Sequence, residues 1–82
     1  MKEPETIERI GHRIKVRRVE QKMLQEELAR KVGMAQSQLS KIERGQLGLD
    51  VMQLLAIAEA LSCSACYLLG EDDQPTLRKR AA

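Results

Sequence analysis

The sequence predicts a small all-helical domain. Three observations carry that expectation. The 82 residues fit one domain and leave no room for a second. Proline stands only at Pro4 and Pro75, so nothing between them forbids helix. The apolar residues are almost all aliphatic, with no Trp, no Phe and Tyr67 as the single aromatic. They sit among Leu, Ala, Met, Glu, Gln, Lys and Arg, which favour helix. A chain this short buries only roughly 60–65% of the surface that its unfolded form exposes. Its stability margin is thin, and a partner chain would widen it.

The spacing of apolar residues then marks five helical segments. The first is expected from about Thr6 to Gln21, where Ile7, Ile10 and Ile14 form one stripe. Glu8, near its start, suits the helix dipole. Arg9, Arg13, Lys15, Arg17 and Lys22 fall on other faces. The second is expected from about Leu24 to Val32, with Leu28 and Val32 facing inward. Its first turn carries Glu26 and Glu27 and its last Arg30 and Lys31, the order that the dipole favours. Gly33 stops it by accepting the left-handed backbone that a sharp turn needs.

The third segment runs from about Gln36 to Glu43, with Leu39 and Ile42 inward, Met34 just before it and Gly45 at its end. Its other positions, Gln36, Ser37, Gln38, Ser40 and Lys41, are small or amide side chains rather than a dense array of charge. The fourth runs from Val51 to about Leu61, with Asp50 as N-cap. Val51, Leu54, Leu55, Ala58 and Leu61 are expected to form its buried face. The fifth runs from about Ala65 to Leu69, capped by Ser64 and ended by Gly70.

Charge is unevenly spread. Residues 1–45 carry a net +4 and residues 46–82 a net −2. A basic half beside an acidic half suits a polyanion; ordinary solvated helix surface is the alternative. No apolar run approaches the length of a membrane span. The start, with Glu3, Pro4 and Glu5, is unlike a signal peptide. The expected location is the cytoplasm, where Cys63 and Cys66 stay reduced. These two cysteines make a single C-x-x-C, too few ligands for structural zinc, with the one histidine, His12, on the first helix. They are read as small buried apolar residues, and His12 as a surface residue. No serine–base pair or glycine-rich phosphate loop is present, so neither catalysis, cofactor nor metal is expected.

The stretch QEELARKVGMAQSQLSKIERG, Gln25 to Gly45, resembles the helix-turn-helix of the XRE family, which includes the lambdoid phage repressors and Cro. Leu28, Val32, Met34, Leu39 and Ile42 supply the shared core of two packed helices, Ala29 is small at their closest approach, and Gly33 makes the turn. The likeness extends from about Ile10 to Leu69. It implies a compact five-helix, lambda-repressor-like DNA-binding domain over residues 1–70, with the helix-turn-helix at helices 2 and 3. Residues 71–82 form a polar C-terminal tail, read as mobile or as an extension ordered by a dimer.

The resemblance also implies site residues. In that family the third helix lies in the major groove, and dimers read two half-sites about one helical turn apart. By position, Gln36, Ser37, Gln38 and Lys41 would face bases, with Gln36 leading. Gln25 matches the family's phosphate-clamping glutamine; the alternative is a helix-start residue bonding its own backbone. Arg44 is a second phosphate candidate. Arg18 and Glu43 match a buried pair between helices 1 and 3, with Arg18 also a candidate for a phosphate; two unrelated surface charges are the alternative. Tyr67, Leu68 and Leu69 are expected at a two-fold interface, or else in the intramolecular core.

Three positions depart from the family pattern. Leu24 stands where Ser, Thr or Asn is usual, and Lys22 where Gly is frequent. The Gln46–Leu49 loop is apolar where basic residues are frequent. These predict weaker phosphate contact, and Leu47 and Leu49 would suit a protein partner unless Leu49 packs under helix 4. The expected function is a homodimeric transcriptional regulator, a repressor, bound to a double-stranded operator. The alternative is an antitoxin or adaptor whose main role is to bind a partner protein.

Overall fold

The computed structural model describes residues 3–70, with side chains from residue 6 onward. The described residues form five helices: α1 (Glu3–Glu20), α2 (Gln25–Val32), α3 (Gln36–Glu43), α4 (Val51–Ala60) and α5 (Ala65–Leu68). No strand occurs among the described residues. The polar tail expected at 71–82 lies outside them.

Helix α1 begins before the isoleucine stripe. Pro4 falls in its first turn, where a missing N–H costs nothing. Glu8 therefore lies beyond that turn, and the dipole contact expected of it is lost. Helices α4 and α5 start at side-chain caps: Asp50 Oδ1 accepts from the Gln53 N–H at 2.8 Å, and Ser64 Oγ from that of Tyr67 at 3.0 Å.

The first four helices end alike. One residue turns left-handed and the next N–H reaches back five residues. Gly33 has φ 74°, and the Met34 N–H donates to the Ala29 carbonyl at 3.0 Å. Lys22 and Ser62 hold the same conformation at φ 55°, with Met23 donating to Arg18 and Cys63 to Ala58. A side chain with a Cβ is strained there by roughly 1–2 kcal/mol.

Two arginines of α1 close other helix ends. Arg17 donates through Nε to the Leu61 carbonyl (3.0 Å) and through Nη2 to that of Ser62 (3.1 Å). Arg13 donates to the Tyr67 carbonyl at 3.3 Å and lies 5.0 Å over that ring. These cations serve carbonyl ends of the scaffold.

The core draws Ile10 and Ile14 from α1, Leu28 and Ala29 from α2, and Leu39 and Ile42 from α3. Ile57, Ala58, Leu61, Cys63, Tyr67 and Leu68 complete it. Val32, Met34 and Leu49 pack against its edge, so Leu49 is partly taken up by the core. The buried face of α4 differs from the expected one. Val51 and Leu55 are 68% and 50% exposed, while Ile57, Ala58 and Leu61 face inward with Leu54 beside them. Only Gln53 and Glu59 interrupt the apolar run of α4, too few to mark its outer side. Cys63 is buried as expected, but Cys66 is exposed; two residues before Leu68, it points to the opposite side of α5. Burial raises the pKa of the Cys63 thiol, against a smaller pull downward from Arg17.

Helix α1 crosses the end of α3 at Gly11. A Cβ there would overlap the Ile42 carbonyl oxygen and stand 3.0 Å from that of Glu43. Gly11→Ala is expected to lower stability by at least about 1–3 kcal/mol, because backbone must move to admit the methyl. Lys22→Gly relieves the left-handed strain and is expected to raise stability by about 0.5–1 kcal/mol. Urea and thermal unfolding of both variants measure these opposite shifts.

Candidate nucleic-acid interface

Helices α2 and α3 meet across the three residues that follow Val32, with Ala29 buried between them. Leu39, Ile42 and Glu43 turn the inner face of α3 into the protein. Helical spacing then places Ser37 and Lys41 on the outer face. Of the four positions expected to read bases, Gln36, Ser37 and Lys41 are exposed and Gln38 is partly covered; the first three residues of α3 supply Gln36, Ser37 and Gln38, and Lys41 lies in its last turn.

Beneath them lies a polar network. Arg18 grips Glu43 through two bonds, Nε to Oε2 at 2.8 Å and Nη2 to Oε1 at 3.1 Å, a bidentate geometry that guanidinium fits well. A third donor, Nη1, reaches the Met23 carbonyl at 2.8 Å. The Glu43 side chain is 2% exposed and that of Arg18 13%. The guanidinium thus faces inward, toward scaffold rather than solvent.

Gln25 extends this network. Its Nε2 donates to Glu43 Oε1 at 3.1 Å, and its Oε1 accepts from Gln36 Nε2 at 3.4 Å. Gln25 therefore bonds two other side chains and leaves its own backbone alone. These two links escape sequence reading, because polar contacts 18 and 11 residues apart leave no periodic trace. Gly11, which fixes the crossing of α1 with α3, was also invisible; a lone glycine in a helix reads as a weak point.

The helix starts nearby are bare. Leu24 and Ala35 precede α2 and α3 and provide no side-chain cap. Glu27 takes the Leu24 N–H at 2.9 Å, but nothing on Leu24 can accept in return. Arg44, just past α3, is exposed and donates from Nε to the Ser40 carbonyl at 3.3 Å.

Of the residues expected at a two-fold interface, Tyr67 and Leu68 fill the protomer's own core and Leu69 is 42% exposed. The larger exposed apolar group is Val51, Met52 and Leu55 on α4, with Leu47 before it. Among the described residues no three His, Cys, Asp or Glu gather as a metal site, and no helix is long and apolar enough to cross a membrane. His12 is exposed on α1.

A helix-turn-helix family model matches residues 14–68. Over 63 residues, 77% of this chain, the sequence is 36% identical to the immunity repressor protein of Bacillus phage phi105. The matched part is 44% of that relative, so the chain spans less than half its length. The fold is similar to the crystal structure of the clp gene regulator ClgR from Corynebacterium glutamicum, with a TM-score of 0.78 at 26% identity. That likeness covers 80% of this chain and 70% of the other.

Loss of one partner of the buried pair strands the other charge. Glu43→Ala is expected to cost about 3–5 kcal/mol. For a domain of this size that lowers the melting temperature by roughly 12 °C or more. Thermal unfolding followed by circular dichroism measures it.

Proposed function

The chain belongs to the XRE-type helix-turn-helix family, and on that premise we propose that it is a sequence-specific DNA-binding transcriptional regulator that represses by occupying an operator. The observation that carries this reading is the exposed edge Gln36, Ser37 and Lys41, with Gln38 beside them, on a helix whose opposite face is fixed by core and ion pair. A glutamine bonds adenine at N6 and N7 together, and a lysine reaches guanine O6 or N7. These groups read the major groove. Gln25 and Arg44, with the uncapped start of α2, hold backbone phosphates. Arg18 contributes by holding Glu43.

The protein acts as a homodimer on an inverted repeat, in the cytoplasm. The relative named as a repressor and the fold neighbour named as a gene regulator support regulation as the role. Apolar surface for the contact between copies is supplied by Leu69 and by Val51, Met52 and Leu55. The same exposed α4 residues favour a second reading, an adaptor or antitoxin that covers them with a different protein. A net charge of +2 gives modest, salt-sensitive affinity.

Selection of bound duplexes from a random pool, at two salt concentrations, tests the assignment. Wild type is expected to enrich an inverted repeat, and Gln36→Ala to lose preference at one position in each half-site. No enrichment at low salt by folded protein would overturn the groove-reading role and leave the partner-binding one.

A further inference from the structure

The end of α5 meets two cations of α1. The Tyr67 carbonyl accepts from the Gly70 N–H at 3.0 Å and from Arg13 Nη1 at 3.3 Å. Gly70 and Arg13 are thus joined on one oxygen. Gly70 is left-handed, with φ 86°. A Cβ at that position would stand 3.6 Å from Arg13 Nε and 3.6 Å from Arg9 Cδ, so the backbone lies against both side chains. Arg9 and Arg13 are four apart in α1 and share one side of it.

Both guanidinium groups have donors to offer there. Arg13 uses Nη1 on Tyr67. That leaves the Nε–Nη2 edge, which Arg18 uses on Glu43, and its Nε is the atom beside Gly70. Arg9 is exposed. Among the described residues, the ion pairs join Arg17 to Glu20 and Arg18 to Glu43, and neither takes Arg9 or Arg13. Glu8, next to Arg9 in sequence, lies against Gly45 at the end of α3 instead.

The sequence supplies acids at this point. Gly70 is followed directly by Glu71, Asp72 and Asp73. Their Cα atoms lie within about 11 Å of Gly70 along the chain, at 3.8 Å per residue. The run holds three of the five acidic residues that follow residue 45. The acidic half of the chain is therefore concentrated where the backbone touches two arginines of the basic half.

We propose that the side of α1 bearing Arg9 and Arg13 is the docking surface for the chain's own acidic run, Glu71–Asp73, which pairs with the two guanidinium groups and straps α5 to α1. Carboxylates fit the free edge of each fork. The strap closes a helix that is only four residues long, too short to hold by its own bonds. It is separate from the DNA-reading role, and its test needs no DNA.

Two measurements on the full chain test it. In the first, Arg9→Lys replaces the guanidinium with an ammonium that a carbodiimide couples to any carboxylate in contact. Peptide mapping is expected to find it linked to Glu71, Asp72 or Asp73. A mixture of isotope-labelled and unlabelled copies separates links within a chain from links between copies. In the second, Arg9→Gln is made in the wild-type chain and in one carrying Glu71→Gln, Asp72→Asn and Asp73→Asn. It is expected to lower the melting temperature of the first by about 2–5 °C and that of the second by clearly less. In 1 M salt, where screening acts within about 3 Å, the difference should shrink. Links only to acids of α1 itself, links only between copies, or an equal loss from Arg9→Gln in both chains would overturn the strap.

Discussion

The candidate interface depends on one ion pair. Taking a carboxylate out of water costs several kcal/mol unless partners replace its hydration. Glu43 has such partners, with Arg18 on both oxygens and Gln25 on one. Arg18 also holds the Met23 carbonyl, in the turn between α1 and α2. The pair therefore ties α1, α2 and α3 at one point. An apolar substitute of equal volume would serve stability as well. It would not fix register, whereas a rotation of α3 on α1 leaves a buried charge unpaired. Gly11 acts at the same crossing, where it lets the Ile42 carbonyl approach α1 closely.

The cations of α1 fill a role that charge counting hides. Arg13 and Arg17 bond carbonyls at the ends of α5 and α4, where the dipole favours positive charge. Part of the positive excess in residues 1–45 is consequently scaffold. Among the described residues, exposed cations remain on α3 and beside it as Lys41 and Arg44, and elsewhere as Arg9, Lys15, Lys22, Arg30 and Lys31. Only some of these can face one duplex, which agrees with the modest affinity proposed.

Much of this fold was legible in the sequence, because most helices declare themselves through period and punctuation. Ile10 and Ile14, Leu28, and Leu39 with Ile42 lie in the core where their spacing puts them. Asp50, Ser64 and Gly33 act at the helix ends as their chemistry suggests. The failures share one physical origin. In α4 the apolar run is nearly unbroken, so period gives no side, and Val51 and Leu55 proved to be surface. In α5 a single turn offers too few residues for a pattern, and Cys66 faces out while Tyr67 and Leu68 face in. The bonds of Gln25 to Glu43 and Gln36 depend on tertiary approach alone.

The capping of the helices divides along the same line as the proposed roles. α4 and α5 begin with side-chain caps, and α2 and α3 do not. A cap contributes about 0.5–2 kcal/mol, so a bare start is a local loss in the free protein. The two bare starts belong to the helices that carry Gln25 and Gln36. N–H groups left without a side-chain acceptor, at the positive end of a helix, suit an anion. If a DNA phosphate serves as the missing cap, stability withheld from the free domain is recovered in the complex. Binding then rests on ionic contact at the same helix starts that position the base readers, and affinity and register cannot be separated by the protein.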